Sequence, residues 1–397
     1  MMPKSSLEGA NKAYFVLEVL LSVLSIGLTF EIAAAQATIL PFDQMSTEER
    51  LRQPGWWPTK VAKAREEFVG SDICLRCHAS MAPQRNTPMA RTMRRAADSD
   101  QLRAHAGRAF QVGGFGYVIG KAENGYKFSA TDGTRSAEAP LSWVFGLGVT
   151  GQSYLFRRGG QMYETRFSFF DAIDGFDFTP GRPHLEHGSI EAALGRALSS
   201  AEERGCFTCH ATGVGPGKDI DDADLIPGIT CEACHGPGRD HAVAVLWGIA
   251  DGATHTLNPA RLRPGDLNDF CGSCHRAFWD VELAGTTGVA TVLFQPYRIQ
   301  KSKCWGQGPG DERLTCKACH DPHLPRLRKA ADYDGKCLSC HAVRETVPVS
   351  KHSAKACPVS PNNCVSCHMP KYELPEMHYK FTDHKIRIVA RDGGIDN

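Results

Sequence analysis

Two cysteines separated by two residues, and followed at once by a histidine, recur seven times in this chain. The pairs are Cys74 with Cys77, Cys206 with Cys209, Cys231 with Cys234, Cys271 with Cys274, Cys316 with Cys319, Cys337 with Cys340, and Cys364 with Cys367. The histidines that follow them are His78, His210, His235, His275, His320, His341 and His368. On one helical turn, two thiols at this spacing reach the two vinyl groups of one haem and form thioethers. The next residue swings under the ring and offers its imidazole to iron, which makes C-x-x-C-H the c-type haem attachment pattern. A lone C-x-x-C can also be a redox dithiol or half of a zinc site. Histidine, however, makes up 16 of 397 residues. Seven chance placements directly after the second cysteine have a probability on the order of 10^-10, so haem attachment is the reading that fits the pattern. The expected cofactors are seven covalently bound c-type haems.

The elements that must position these groups have to be read with the cofactors included. Residues 206–368 carry six motifs, roughly 27 residues for each, which leaves little chain for an ordinary apolar core. Much of the burial is therefore expected between protein and porphyrin. The formal charge is +1 from 45 Lys and Arg against 44 Asp and Glu. Haem propionates would make the holoprotein acidic, and the basic residues form no run of five or more. Nucleic-acid binding is not expected. Charged residues at 22% and a mean hydropathy of −0.30 also exclude a membrane bundle.

Residues 1–37 read as a secretory signal peptide. Lys4 and Lys12 are basic, Val19–Phe30 is apolar, and Ala33, Ala34, Ala35 and Ala37 supply small residues for cleavage near residues 35–37. Glu18 and Glu31 limit the apolar run to 12 residues, too short to span a bilayer cleanly. No cysteine lies near the cleavage point, which argues against a lipid anchor. The expected location is periplasmic or extracellular, where covalent haem attachment takes place in bacteria.

Four regions are expected: the signal segment 1–37, an N-terminal segment 38–107 with the first motif, a β-rich insert 108–187, and a six-motif region 188–397. In the second, Ser46–Glu49 looks like a helix start, and Met81–Arg95 is expected to be helical after Pro88, with Met89 and Met93 one turn apart. Residues 108–170 hold neither Cys nor His. There Tyr126–Ala130, the turn at Asp132 and Gly133, and Thr134–Ala139 predict a hairpin. Leu141–Phe145, Gln152–Phe156 and Gln161–Phe167 are further expected strands, with a turn at Arg158–Gly160. Ser189–Ala201 predicts an amphipathic helix behind a Ser cap.

Nine histidines lie outside the motifs, enough for a second axial ligand on each iron. His241 and His323 stand too close to their own motifs to serve those irons, so each is expected to reach a neighbouring haem. His352 and His384 bracket the last motif, with His378 as the rival of His384. His184, His187, Met89 and Met93 are weaker candidates. For His105 and His255 a surface position is expected.

The stretches CFTCHATG, CEACHGPGRDH, LTCKACHDPH and NCVSCHMPK, with FTDHKIRI after them, resemble bacterial multihaem cytochromes c. These are related to the tetrahaem carriers of ammonia oxidisers, in the wider group that contains hydroxylamine oxidoreductase and pentahaem nitrite reductase. The resemblance covers about residues 189–390 and, more loosely, 68–97. It implies His241, His323, His352 and His384 as distal ligands, and haems packed in parallel-stacked and perpendicular pairs. One departure matters: the nitrite reductases carry C-x-x-C-K at the catalytic haem, and all seven motifs here end in His. The expected fold is mainly α, with little regular structure around stacked haems, plus an inserted antiparallel β-rich element.

Two cysteines are left over, Cys304 and Cys357. In an exported protein they are a disulfide candidate. Buried thiols, or Cys304 over a haem as a weak ligand, are the alternatives. The function expected is electron transfer along a chain of haems between redox partners such as a quinol dehydrogenase, other cytochromes or a terminal reductase, with a homo-oligomer also compatible. No catalytic residue is assigned. The alternative is an oxidoreductase acting on a small nitrogen or sulfur compound at one open iron, at the first or fourth haem, with Arg76, Arg85, Arg91 and Arg276 nearby in sequence. A haem-bearing filament subunit is a third reading.

Overall fold

Large apolar residues at every second position, Phe115, Tyr117 and Ile119 and then Tyr126 and Phe128, call for a sheet with one covered face. A computed structural model describes residues 59–60, 63–181, 188–215, 220–249, 255–305, 314–341, 357–389 and 395, and supplies that sheet. Strand β1 (Met93–Arg95) precedes β2 (Ala109–Val112), β3 (Phe115–Ala122), β4 (Gly125–Thr131) and β5 (Ser136–Pro140). Then come β6 (Trp143–Gly148), β7 (Gly151–Arg158), β8 (Gln161–Phe170), β9 (Gly175–Phe178) and β10 (Gly195–Ala197). Strands β2-β3-β4-β5 form one antiparallel sheet. The second runs β1-β6-β7-β8-β10, with β9 also paired to β8. Tyr117, Ile119 and Phe128 from the first sheet meet Val144, Tyr154, Phe156 and Phe167 from the second in one buried cluster. Full burial of one such aromatic ring is worth about 1.5–3 kcal/mol, so this element carries its own core.

The expected hairpin and the three further strands fall within β4 to β8. β2, β3 and β9 add to them. β1 and β10 come from segments expected to be helical. After the first motif, Ala79–Asn86 is a 3-10 helix with Pro83 inside it, and the chain then joins the sheet edge as β1. Met93 is therefore a core residue, 1% exposed, and not one turn from Met89. The helix expected over 189–201 is Ile190–Leu194 and stops at Gly195. A Cβ there would stand 2.3 Å from the Glu164 carbonyl oxygen, so the residue is free to approach β8 only as glycine. A second helix, Ser200–His210, then starts at Ser199 with a capping box to Glu202 and delivers the second motif.

Beyond it the chain is mostly short helices, with two short strand pairs. β11 (Ala211–Thr212) pairs with β12 (Ile226–Pro227), and β13 (Lys371–Leu374) with β14 (Tyr379–Thr382). Fourteen strands among the described residues correct the expectation of a mainly α chain: the β element is substantial. Nor is it only an insert. The face of the second sheet turned away from the first carries Met93, Trp143, Phe145, Leu155 and Met162, which bury Phe207 of the second motif. Among the described residues no helix is long and apolar enough to cross a membrane. The expected signal segment 1–37, the expected helix start at Ser46, and His184, His187 and His352 lie outside the described residues.

Candidate functional site

Each motif lies on a helical turn, which brings its two thiols to one side and its histidine at or just past the end. Cys74 lies in the helix Ser71–Leu75, and the His78 amide donates to the Cys74 carbonyl at 3.0 Å. Cys231–His235, Cys316–Cys319 and Cys364–His368 are single short helices. Ser200–His210, Pro264–His275 and Asp334–His341 end on their motif histidines.

Among the described residues, three motif histidines face a second imidazole. The ring centres of His78 and His241 are 6.3 Å apart at an interplanar angle of 28°. His235 and His323 stand 6.2 Å apart at 15°, and His320 and His384 6.3 Å apart at 39°. These distances are too long for rings in contact and right for rings that share a metal. Two metal–nitrogen bonds of about 2.0 Å each, with about 1.1 Å from each ring nitrogen to its centre, give about 6.2 Å. Each pair joins a motif to a histidine lying after a later motif. The residues present therefore fit an iron held between two imidazoles.

The outward nitrogen is fixed at several of these rings. The Nδ1–H of His235 donates to the Leu257 carbonyl at 2.7 Å, and that of His384 to the Thr382 carbonyl at 3.1 Å. His368 Nδ1 does the same to the Arg387 carbonyl at 3.0 Å. With Nδ1 engaged as donor, Nε2 keeps its lone pair for a metal. Burial pushes the His384 imidazole down to about 4, with the His320 ring adding to the effect. Burial also lowers His210 and His320. All three are held in the neutral form that ligates.

The cysteines of different motifs also meet. The Cys74 and Cys231 thiols share a hydrogen bond that keeps Cys74 protonated and pulls Cys231 down. The same relation joins Cys209 to Cys274 and Cys271 to Cys316. Cys337 bonds Cys364, while burial raises both. Burial raises Cys234 and Cys319, with the charge of Cys274 adding to the first and that of Cys340 to the second. These hydrogen bonds bring the first motif to the third, the second and the fifth to the fourth, and the sixth to the seventh.

The remaining candidates are placed elsewhere. Met89 is half-buried in a turn and its carbonyl accepts from the Ile229 amide. His378 binds Asp177 at 2.9 Å and lies edge-on to Phe170, so it docks the β13–β14 hairpin on the sheet. His105 is buried, not surface: it bonds the Gln101 carbonyl and Asp174 and rests on Phe169. His255 is exposed as expected. No bond joins Cys304 to Cys357. Sequence reading missed Phe145, whose ring stacks on His210 at 4.8 Å, and Thr92, 2.8 Å from its Nδ1. No local motif marks either: Phe145 lies in β6 and Thr92 directly before β1.

A family model described as "Cytochrome c554 and c-prime" matches residues 184–236. A high-molecular-weight cytochrome c of Nitratidesulfovibrio vulgaris strain Hildenborough is 25% identical over 196 residues, 48% of this chain and 30% of that protein. The match thus spans less than a third of that relative's length. No solved structure matches. The two similarities support a multihaem c-type cytochrome with covalently bound c-type haem.

Proposed function

We propose that this chain is an exported heptahaem cytochrome c that carries electrons along covalently bound haems between redox protein partners. The observation that carries the reading is the set of three imidazole pairs at 6.2–6.3 Å. Fourteen motif cysteines hold seven haems, and the seven motif histidines are the proximal ligands. His241 completes the iron of His78, His323 that of His235, and His384 that of His320. His184, His187, His255 and His352 are the histidines left for the irons of His210, His275, His341 and His368.

Haem iron supplies reversible one-electron chemistry, with its potential set by ligands, burial and nearby charge. The chain's part is to keep geometry constant. Two imidazoles on one iron, with His235 and His384 held by their Nδ1 donors, leave little to rearrange when charge changes, which favours fast transfer over bond-making. The contacts between cysteines support a haem order that runs as a row with one branch at the fourth. The signal segment supports a periplasmic or extracellular location.

The test is mass spectrometry for seven covalent haems, with electron paramagnetic resonance of the oxidised protein with and without nitrite and hydroxylamine. Seven haems and spectra unmoved by either compound are the expected result. His241→Gly and His323→Gly are each expected to turn one haem high-spin. A native high-spin signal that shifts with nitrite or hydroxylamine would replace this reading with a small-molecule oxidoreductase.

A further inference from the structure

The helix Gln295–Gln300 carries no motif and no histidine, yet it holds Arg298 at 0% exposure against Asp383, also at 0%. The contact is a two-pronged one. Arg298 Nε donates to one carboxylate oxygen at 2.8 Å and a terminal nitrogen donates to the other at 2.7 Å. Burying two charges is costly and gives weak net stability. What the paired fork supplies is a fixed angle between two backbones.

That angle governs the segment Asp383–Arg387, which carries one ligand candidate and touches another. Asp383 sits directly before His384, and its amide donates to the Pro370 carbonyl at 2.8 Å. Ser302, just past the helix, donates to the His384 carbonyl at 3.2 Å and accepts from the Ile386 amide at 2.8 Å. Arg387 reaches back to Asp383 at 2.5 Å. Its amide donates to the His368 carbonyl at 3.2 Å, and its carbonyl takes the His368 Nδ1–H at 3.0 Å. One clasp therefore stands behind the ring that faces His320 and the ring of the last motif.

We propose that Arg298 and Asp383 are positioning residues that hold His384 over the iron of His320 and, through Arg387, orient His368, so that the fifth and seventh haems are tuned together. This rests on the reading of His320 and His384 as two ligands of one iron. A merely structural ion pair would lower stability without changing any haem's spin state. A positioning pair releases a ligand while the protein stays folded.

The experiment uses the full haem-loaded protein and counts high-spin haem by electron paramagnetic resonance, before and after adding imidazole. His384→Gly is expected to convert one haem equivalent to high-spin, and imidazole to reverse it. Asp383→Asn should give part of the same conversion, reversed by imidazole, together with a changed low-spin signal from a second haem. Arg298→Lys keeps the charge but not the fork, and should fall between Asp383→Asn and the unaltered protein. If His384→Gly changes a spin state and neither clasp variant does, the clasp is overturned and the ligand assignment stands. If His384→Gly leaves every haem low-spin, the ligand assignment fails and the clasp with it. Should Asp383→Asn yield no haem-loaded protein, Arg298→Lys alone decides: an unchanged spectrum overturns the proposal, and a partial, imidazole-reversible high-spin signal supports it.

Discussion

Between Ala109 and Phe178 the chain buries 20 apolar side chains, most of them aromatic or β-branched and facing one another across two sheets. Across the described residues from 220 to 389, a longer stretch, it buries seven. The first region closes on itself with side-chain volume. The second brings cysteines and imidazoles of different motifs together with few buried apolar side chains among them. Leu246 and Trp247, 84% and 80% exposed beside the His241 helix, show how much apolar surface that region leaves open. One part of the molecule is a core with its own payload, and the other is a frame whose apolar filling is the cofactor. The frame is steadied by the core where Phe145 stacks on His210 and where His378 meets Asp177.

The comparison breaks most sharply if haem attachment is prevented. Replacing both Cys231 and Cys234 by Ser should strip amide protection from residues around the first, third and fourth motifs while β3, β4, β7 and β8 stay protected. Hydrogen exchange read by mass spectrometry checks this, and uniform loss across both regions would erase the contrast. Next in size is Phe167→Ala, at the centre of the aromatic cluster and 0% exposed. It should cost about 3–5 kcal/mol of stability in denaturant melts, with the haem absorption bands unmoved.

A smaller effect is expected where the two regions touch. His378→Ala removes a half-exposed bond to Asp177 and should cost no more than about 1 kcal/mol, with no haem turning high-spin. A new high-spin signal would instead make His378 a ligand and sharpen the question of what His384 does. The smallest effect concerns Glu202 in the cap of the second motif's helix. The Ser199 amide and hydroxyl, then Arg196, hold its carboxyl at about 2, against about 4.3 in an unfolded chain. A depressed folded value stabilises fully above the unfolded one and is lost as pH falls towards about 2. Glu202→Gln should therefore melt earlier than the parent at pH 6, and the gap should narrow by pH 3.

Legibility followed the same division. β4 to β8 were readable because alternation and turn residues are local properties, and Asp132 does bond the amides of Thr134 and Arg135 at the expected turn. β1 and β10 were not, because strands of three residues at a sheet edge are decided by their partners in β6 and β8. The helical spacing of Met89 and Met93 was overridden when Met93 found a buried place beside Trp143. Phe145 and Thr92 carry no signal of their role, since what matters is the histidine they meet more than 60 residues away.

By itself the sequence determined the attachment chemistry: thioether spacing is a matter of one helical turn and the histidine beside it, all within five residues. It also narrowed the candidates for a second ligand to a few histidines, among them His241 and His323, which stand too near their own motifs to serve those irons. Only the tertiary structure decided which ring meets which. His241 faces His78, His323 faces His235 and His384 faces His320, each across a long separation in the chain. The branch at the fourth motif and the buried clasp of Arg298 on Asp383 arose in the same way. The reason is geometric: shared ligation needs two rings about 6 Å apart, and no local spacing encodes a distance between segments that only folding brings together.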